Sequence, residues 1–295
     1  MLSFMRFILV FFLGCAQARQ QINENNIIVP LIFKSWSPTI FVTVEKIKIP
    51  LQFDLGAANI EISLSPNILK NLKQVKYTGH VRTVRGSQGR EAVLQEFILP
   101  EVQIANLKIN NMKGIENHPF PWGSRGEAPE DVKNGVIGLS MVTKFNMIID
   151  YKNRKLILIK GNNYPSHYNI DSWQKIPFTM NGNIVTDVKF GNKQIKLLLD
   201  TGVQFNLIKP ISKISGDIRT CSKNIADILG MDVNHCKEIT ANLTKNTSRF
   251  NKMTFYITSL QGLPVDGVIG EPFFKNHMVY INFSKHILAV SDLVK

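Results

Sequence analysis

The chain is poor in cysteine, with three in 295 residues. One of them, Cys15, falls inside the N-terminal apolar stretch, which leaves Cys221 and Cys236. Two thiols cannot supply a four-cysteine zinc site, their spacing suits no zinc motif, and the six histidines are dispersed with no His-Glu-x-x-His among them. A metal centre is therefore not expected, and no cofactor is implied. No apolar run approaches the roughly 20 residues that a membrane-spanning helix needs. No low-complexity segment is present. The formal charge is strongly positive, +13, yet no dense basic helix with interleaved aromatics carries it. Nucleic acid is thus not an expected partner. The scattered Lys and Arg read as a solvated basic surface, or as an attraction to acidic partners or an anionic membrane surface.

What is present begins with an address. Arg6 is followed by an apolar run, Phe7 to Gly14, and by Ala16-Gln17-Ala18, which fits a small-residue cleavage site. Residues 1–18 read as a signal peptide cleaved after Ala18, giving a secreted or periplasmic, extracytoplasmic protein. Lipoprotein processing at Cys15, from Phe12-Leu13-Gly14-Cys15, is the alternative. In an exported protein the remaining pair, Cys221 and Cys236, reads as a disulfide.

The rest of the chain is organised around Leu197-Leu198-Leu199-Asp200-Thr201-Gly202-Val203. An apolar run, read as a buried strand, ends abruptly in a carboxylate, a hydroxyl and a glycine. A carboxylate at the rim of a core is costly unless hydrogen bonds or a partner stabilise it. The glycine permits a sharp turn with positive φ. The same device occurs earlier, where Ile47 to Phe53 alternates with period two and ends in Asp54-Leu55-Gly56-Ala57. One Asp-x-Gly is usually only a turn. Two in matching context are far more informative.

A second repeated unit follows each of them. Gly135-Val136-Ile137-Gly138 and Gly267-Val268-Ile269-Gly270 are identical, and the segments around them align without a gap. Each is succeeded by a turn and a hairpin-like pair of runs, from Ile148 to Leu158 and from Tyr280 to Val290. The chain is thus an internal duplication of β-rich halves. We expect an N-terminal lobe over residues 19–160, a linker over 161–171 and a C-terminal lobe over 172–295. A short helix is expected from Ser65 as cap and Pro66 at its first turn. Glycines within Arg85-Gly86-Ser87-Gln88-Gly89-Arg90 suggest a mobile hairpin tip. Residues 118–134 read as a long loop.

Two carboxylates, one per half, would meet near the pseudo-twofold axis. Two that lie close cannot both ionise comfortably, so they share a proton and titrate as a unit. The ionised one can take a proton from water while the other donates to a carbonyl oxygen, with no covalent intermediate.

These motifs resemble those of the pepsin and retropepsin clan of aspartic proteases. The resemblance covers nearly the whole chain after residue 18, with copies closer in length to retropepsin-like domains than to pepsin lobes. It implies an all-β, bilobal acid-protease fold with two pseudo-twofold-related, β-barrel-like lobes and few short helices. It implies Asp54 and Asp200 as the catalytic pair. Gly56, Thr201, Gly202, Gly138 and Gly270 would support the catalytic loops, and Gly86, Ser87 and Gly89 would lie in a substrate-binding flap. The implied substrate is a peptide or protein bound in an extended conformation, and the expected state is a monomer.

The chain departs from the family pattern at three places. Leu55 replaces the Thr or Ser whose hydroxyl clasps the opposite loop, so the clasp is expected to be one-sided. No Tyr stands at the flap tip, since Tyr77 lies too early. Residues 211–250 contain no second glycine-rich flap. An exported aspartic endopeptidase is the leading reading. A catalytically inactive peptide- or protein-binding module is the rival, and a β-rich structural protein is the third.

Overall fold

The computed structural model describes residues 26–34, 36–85, 91–117, 133–229, 231–246 and 248–292. The expected signal peptide, the glycines of the expected flap tip and residues 118–132 of the expected long loop lie outside those residues. Three sheets account for the described chain. A seven-stranded sheet belongs to the first half, an eight-stranded sheet to the second, and a six-stranded sheet is shared by both.

The two half-sheets are built to one plan. In the first, Thr39–Val44 pairs with Ile47–Asp54, which pairs in parallel with Gly135–Gly138. Ile62–Leu64, Leu107–Glu116, Glu91–Ile104 and Lys76–Arg85 follow in order. In the second, Ile184–Phe190 pairs with Lys193–Leu199, which pairs in parallel with Gly267–Ile269. Leu207–Ile208, Ser248–Ile257, Lys237–Lys245 and Asp217–Thr220 follow. Each sheet also curls back on itself. Thr39–Val44 reaches Glu91–Ile104 in one half, and Ile184–Phe190 reaches Lys237–Lys245 in the other. That closure makes each half barrel-like and removes most free edges.

The shared sheet locates the twofold. Its order runs Asn26–Pro30, Lys155–Ile159, Asn146–Asp150, His277–Asn282, Ile287–Asp292, Gln174–Pro177. The two central strands are antiparallel and set Ile148 opposite Tyr280. These residues are counterparts in the ungapped alignment of the copies. A residue that faces its own counterpart sits at the pseudo-twofold axis. Residues 161–171, between the halves, include a short 3-10 turn at Ser166–Tyr168 and the start of another at Ile170–Ser172.

The chemistry of the chain explains these elements. Ile40, Val42, Leu51, Phe53, Phe97 and Leu99 alternate inward and are fully buried, as are Leu197, Phe190 and Phe255 in the second half. One contiguous apolar cluster includes residues of both halves, so the core is continuous across the axis. Ser65 caps the helix Pro66–Leu69, its hydroxyl accepting from the Ile68 N–H.

The halves differ most where the sheet plan places a hairpin. The first half carries the long pair Lys76–Arg85 and Glu91–Ile104. The corresponding strand of the second half, Asp217–Thr220, is short. It leads into a helix, Lys223–Leu229, and that segment is closed by the Cys221–Cys236 disulfide. Cys221 and Cys236 are buried, and the Cys221 N–H donates to the Cys236 carbonyl at 3.0 Å.

Candidate active site

Ile47–Asp54 and Lys193–Leu199 both run inward and end in an Asp-x-Gly loop at the axis. The parallel pairings Asp54 with Gly138 and Leu199 with Ile269 fix where each loop begins. The Asp200 N–H donates to the Ile269 carbonyl at 3.0 Å. Gly138 and Gly270 are where each loop folds back. A Cβ on Gly138 would lie 2.4 Å from the Ile60 carbonyl oxygen, and one on Gly270 would lie 2.4 Å from that of Phe205. No side chain fits in either gap.

The two carboxyl groups face each other across the axis, each against the glycine of the other loop and close enough to act on the other's ionisation. They sit deep in the fold while keeping a partly accessible edge. Gly56 and Gly202 make this approach possible in a reciprocal way. A Cβ on Gly56 would fall 2.1 Å from an Asp200 carboxylate oxygen, and a Cβ on Gly202 would fall 2.5 Å from the Asp54 carboxylate. This corrects the reason given by the turn. Neither glycine has positive φ. What each supplies is room for the other half's acid.

The surroundings of the two acids are unequal. Asp54 Oδ1 accepts from the Gly56 N–H at 2.8 Å and the Ala57 N–H at 3.2 Å, whereas Asp200 Oδ1 accepts from the Gly202 N–H at 2.7 Å. Burial raises the pKa of both above the ordinary carboxylate range. For Asp54 the neighbouring Asp200 carboxyl and the bonds from the Gly56 and Ala57 N–H groups offset part of that rise. For Asp200 the charge of Asp54 adds to it, and the pKa goes well up. The two acids therefore titrate as one pair, which holds its shared proton above the ordinary carboxylate range.

The expected one-sided clasp is present. The Thr201 hydroxyl accepts from the Leu55 N–H at 3.0 Å and donates to the Phe53 carbonyl at 2.8 Å. Thr201 and Leu55 are both fully buried, and the Leu55 side chain packs in the core. Two side-chain amides that the sequence did not single out brace the loops from opposite halves. Gln52 donates to the Gly202 carbonyl and Asn183 to the Gly56 carbonyl, each at 3.3 Å. Only their strand and turn positions next to the loops could have signalled them.

Gly86, Ser87 and Gly89 lie outside the described residues. The base of their hairpin is described, and it is tied to the first loop. The Arg82 guanidinium pairs with Glu96 at 2.7 Å and donates to the Asn59 carbonyl at 2.6 Å. A cavity of about 480 Å³ opens there, lined by Asn59, Glu61, Arg82, Glu96 and Lys113 among others. Among the described residues, no group of three or more His, Cys, Asp or Glu is arranged to hold a metal ion. None of the helices there is long and apolar enough to cross a membrane.

No protein-family model matches the sequence, and no curated protein matches it. Solved structures do match. The crystal structure of basic 7S globulin from soybean is similar over 90% of this chain and 95% of its own, with a TM-score of 0.56 and 8% identity. The crystal structure of an aspartic proteinase from Irpex lacteus is similar over 90% of this chain and 97% of its own, with a TM-score of 0.56 and 13% identity. The chain thus has the bilobal, all-β, pepsin-like fold. One of these similar structures is named a proteinase and the other a globulin, so the fold alone does not choose an activity.

Proposed function

We propose that this chain is an exported aspartic endopeptidase that hydrolyses peptide bonds in extended substrates. The observation that carries the reading is the meeting of Asp54 and Asp200, each carboxyl filling the space that the other loop's glycine leaves. In this reading a water lies between the two acids. Asp54 takes a proton from it as its oxygen attacks the substrate carbonyl carbon. Asp200 gives its proton to the carbonyl oxygen, so a gem-diol forms without net charge on the substrate. Asp54 then returns its proton to the amide nitrogen as the carbon–nitrogen bond breaks, and a gem-diol proton goes back to Asp200. Gln52, Asn183 and Thr201 keep the loops at the separation this exchange needs. In this reading the flap expected over Arg82 to Arg90, carried by the paired strands Lys76–Arg85 and Glu91–Ile104, closes over the substrate backbone as an added strand. The Cys221–Cys236 disulfide supports an oxidising, extracytoplasmic setting.

A second reading rests on Leu55. A module that only holds a peptide has no need of two clasping hydroxyls, and this chain has one. Against it stands the cost of burying two carboxyl groups that would do no work. The two separate on one experiment. The chain from Arg19 onward, purified and folded, is incubated with a diverse peptide pool between about pH 3 and pH 7, a range that brackets a shared-proton dyad. The endopeptidase reading expects internal cleavage that a statine-type transition-state mimic blocks. Binding of that mimic without cleavage at any pH would establish the module instead.

A further inference from the structure

Behind the second loop lies an acid that the mechanism above does not use. Glu271 opens the short helix Glu271–Asn276 directly after Gly270, and its N–H donates to the Val203 carbonyl at 2.9 Å. Its backbone is thus fastened to the loop that carries Asp200. The side chain is sealed from solvent. Oε1 accepts from the Tyr151 hydroxyl at 2.7 Å, while Oε2 finds no hydrogen-bond partner among the described residues. Tyr151 comes from the other half, just past the axial strand Asn146–Asp150. A buried carboxyl with one bare oxygen is costly to keep and calls for a reason.

The duplication shows how unusual the pair is. Aligning the copies without a gap sets Leu139 against Glu271 and Tyr151 against Phe283. The alignment holds through the hairpin turns, where the counterparts Arg154 and His286 both have φ of 52°. The symmetry-related counterpart of Glu271 with Tyr151 is therefore Leu139 with Phe283, two buried apolar side chains. Two departures from symmetry, one in each half, meet under the two aspartates. Core packing alone is satisfied by the apolar version.

We propose that Glu271, held by Tyr151, is the third acid of this site, a positioning residue that sets how firmly Asp200 keeps the shared proton. The proposal rests on Asp54 and Asp200 being the proton-sharing pair. Among the described residues, the groups coupled to Glu271 can be named. Tyr151 bonds to it from the other half and Lys275 acts on it from its own helix, while its own charge acts on Asp200, in the loop its backbone is fastened to. Tyr151 in turn senses both Asp200 and Asp54. Burial pushes Glu271 up to about 8, with Tyr151 and Lys275 offsetting part of the rise. Below that pH Glu271 is neutral and leaves the pair undisturbed. As it gains charge, it disfavours a second new charge on Asp200 and holds the proton there. The consequence is a singly protonated pair that persists above the pH at which Glu271 ionises, where two aspartates alone would give the proton up.

The test uses the folded chain with carbon-13-labelled Asp and Glu side chains, titrated by NMR from acid to alkaline pH. Glu271→Gln keeps an acceptor for Tyr151 and cannot ionise. We expect the higher of the two apparent pKa values of the Asp54–Asp200 pair to fall by about one unit in that variant, a tenfold change in proton affinity. The alkaline limb of peptide cleavage should move to lower pH with it, while the acid limb stays. In the wild type, the Asp200 resonance should respond as Glu271 titrates near 8, a readout that does not depend on the variant folding. Aspartate titrations unchanged in a folded Glu271→Gln chain, or no response of Asp200 to Glu271 in the wild type, would overturn the proposal. Coupled titrations in a chain that cleaves nothing would sink the peptidase reading and leave this one standing.

Discussion

The hydroxyl of Thr201 accepts the amide hydrogen of Leu55 at 3.0 Å and passes its own hydrogen to the carbonyl of Phe53 at 2.8 Å. One residue of the second loop therefore binds two backbone groups of the first, and Leu55 has no side-chain atom with which to reciprocate. All of these groups are buried. Thr201→Val should leave a donor and an acceptor unsatisfied and cost about 2–3 kcal/mol. Thr201→Ser keeps the hydroxyl and should cost well under half of that. Chemical denaturation of the two variants checks the order. Equal losses would mean that the threonine matters for its methyl group rather than its hydroxyl.

The glycines make a sharper prediction. A methyl group at position 202 must occupy the space of the Asp54 carboxylate, and one at position 56 that of Asp200. Either Gly202→Ala or Gly56→Ala should push the acids apart by a good fraction of an ångström. A displacement of that size costs about a hundredfold in rate for a reaction that depends on placement. Steady-state cleavage by the folded variants is the measurement. Retention of wild-type rates in both would mean that the carboxyl groups need not approach.

Stability should depend on pH in a definite direction. The folded-state pKa values of Asp54, Asp200 and Glu271 are all raised, that of Glu271 from 4.5 to about 8. An acid that holds its proton more tightly when folded stabilises the fold in the protonated form. Its contribution is complete below the ordinary carboxylate range and is lost as pH rises through the folded-state value. The unfolding free energy should therefore decline between about pH 5 and pH 8, and Asp200→Asn should flatten part of that decline. A chain that grows more stable over the same interval would contradict these shifts.

The disulfide closes the segment that stands where the other half has its long hairpin. In the chain-entropy picture, closing a loop of this size stabilises by about 3 kcal/mol. The double variant Cys221→Ser, Cys236→Ser should lose about that much by denaturation. It should still cleave peptide below its melting temperature, because the Asp-x-Gly loops are carried by other strands. A loss of cleavage with the fold intact would place the closed segment in contact with substrate.

Much of this architecture could be read from the sequence because it was written twice. Asp54 with Asp200, and the identical Gly135–Gly138 and Gly267–Gly270, pointed to paired loops, and the strands place them in equivalent parallel registers. Other features carried no such signal. The turn between the first two strands of the seven-stranded sheet is made by Glu45 and Lys46, both left-handed with φ of 50° and 70°. Neither residue type announces such a turn, for which Asn-Gly is the usual mark. The glycines of the two loops were legible as necessary, and the resemblance implied that they let the loops approach; the positive φ expected from the turn is absent, and the space each leaves for the other half's carboxylate is a property of the assembled halves. Glu271 and Tyr151 each looked ordinary alone. Their partnership becomes visible only when each is compared with its apolar counterpart in the other copy and the fold brings them together.

The measurement that bears most directly on the central claim is peptide cleavage by Asp54→Asn and Asp200→Asn beside the wild type, across the same acid-to-neutral range. Each substitution keeps size and hydrogen bonding while removing one titrating group. A site in which two acids share one proton predicts that either change alone abolishes cleavage at every pH, with both variants folded. Cleavage at the wild-type rate by either single variant would show that the reaction, if it occurs, does not run through this pair.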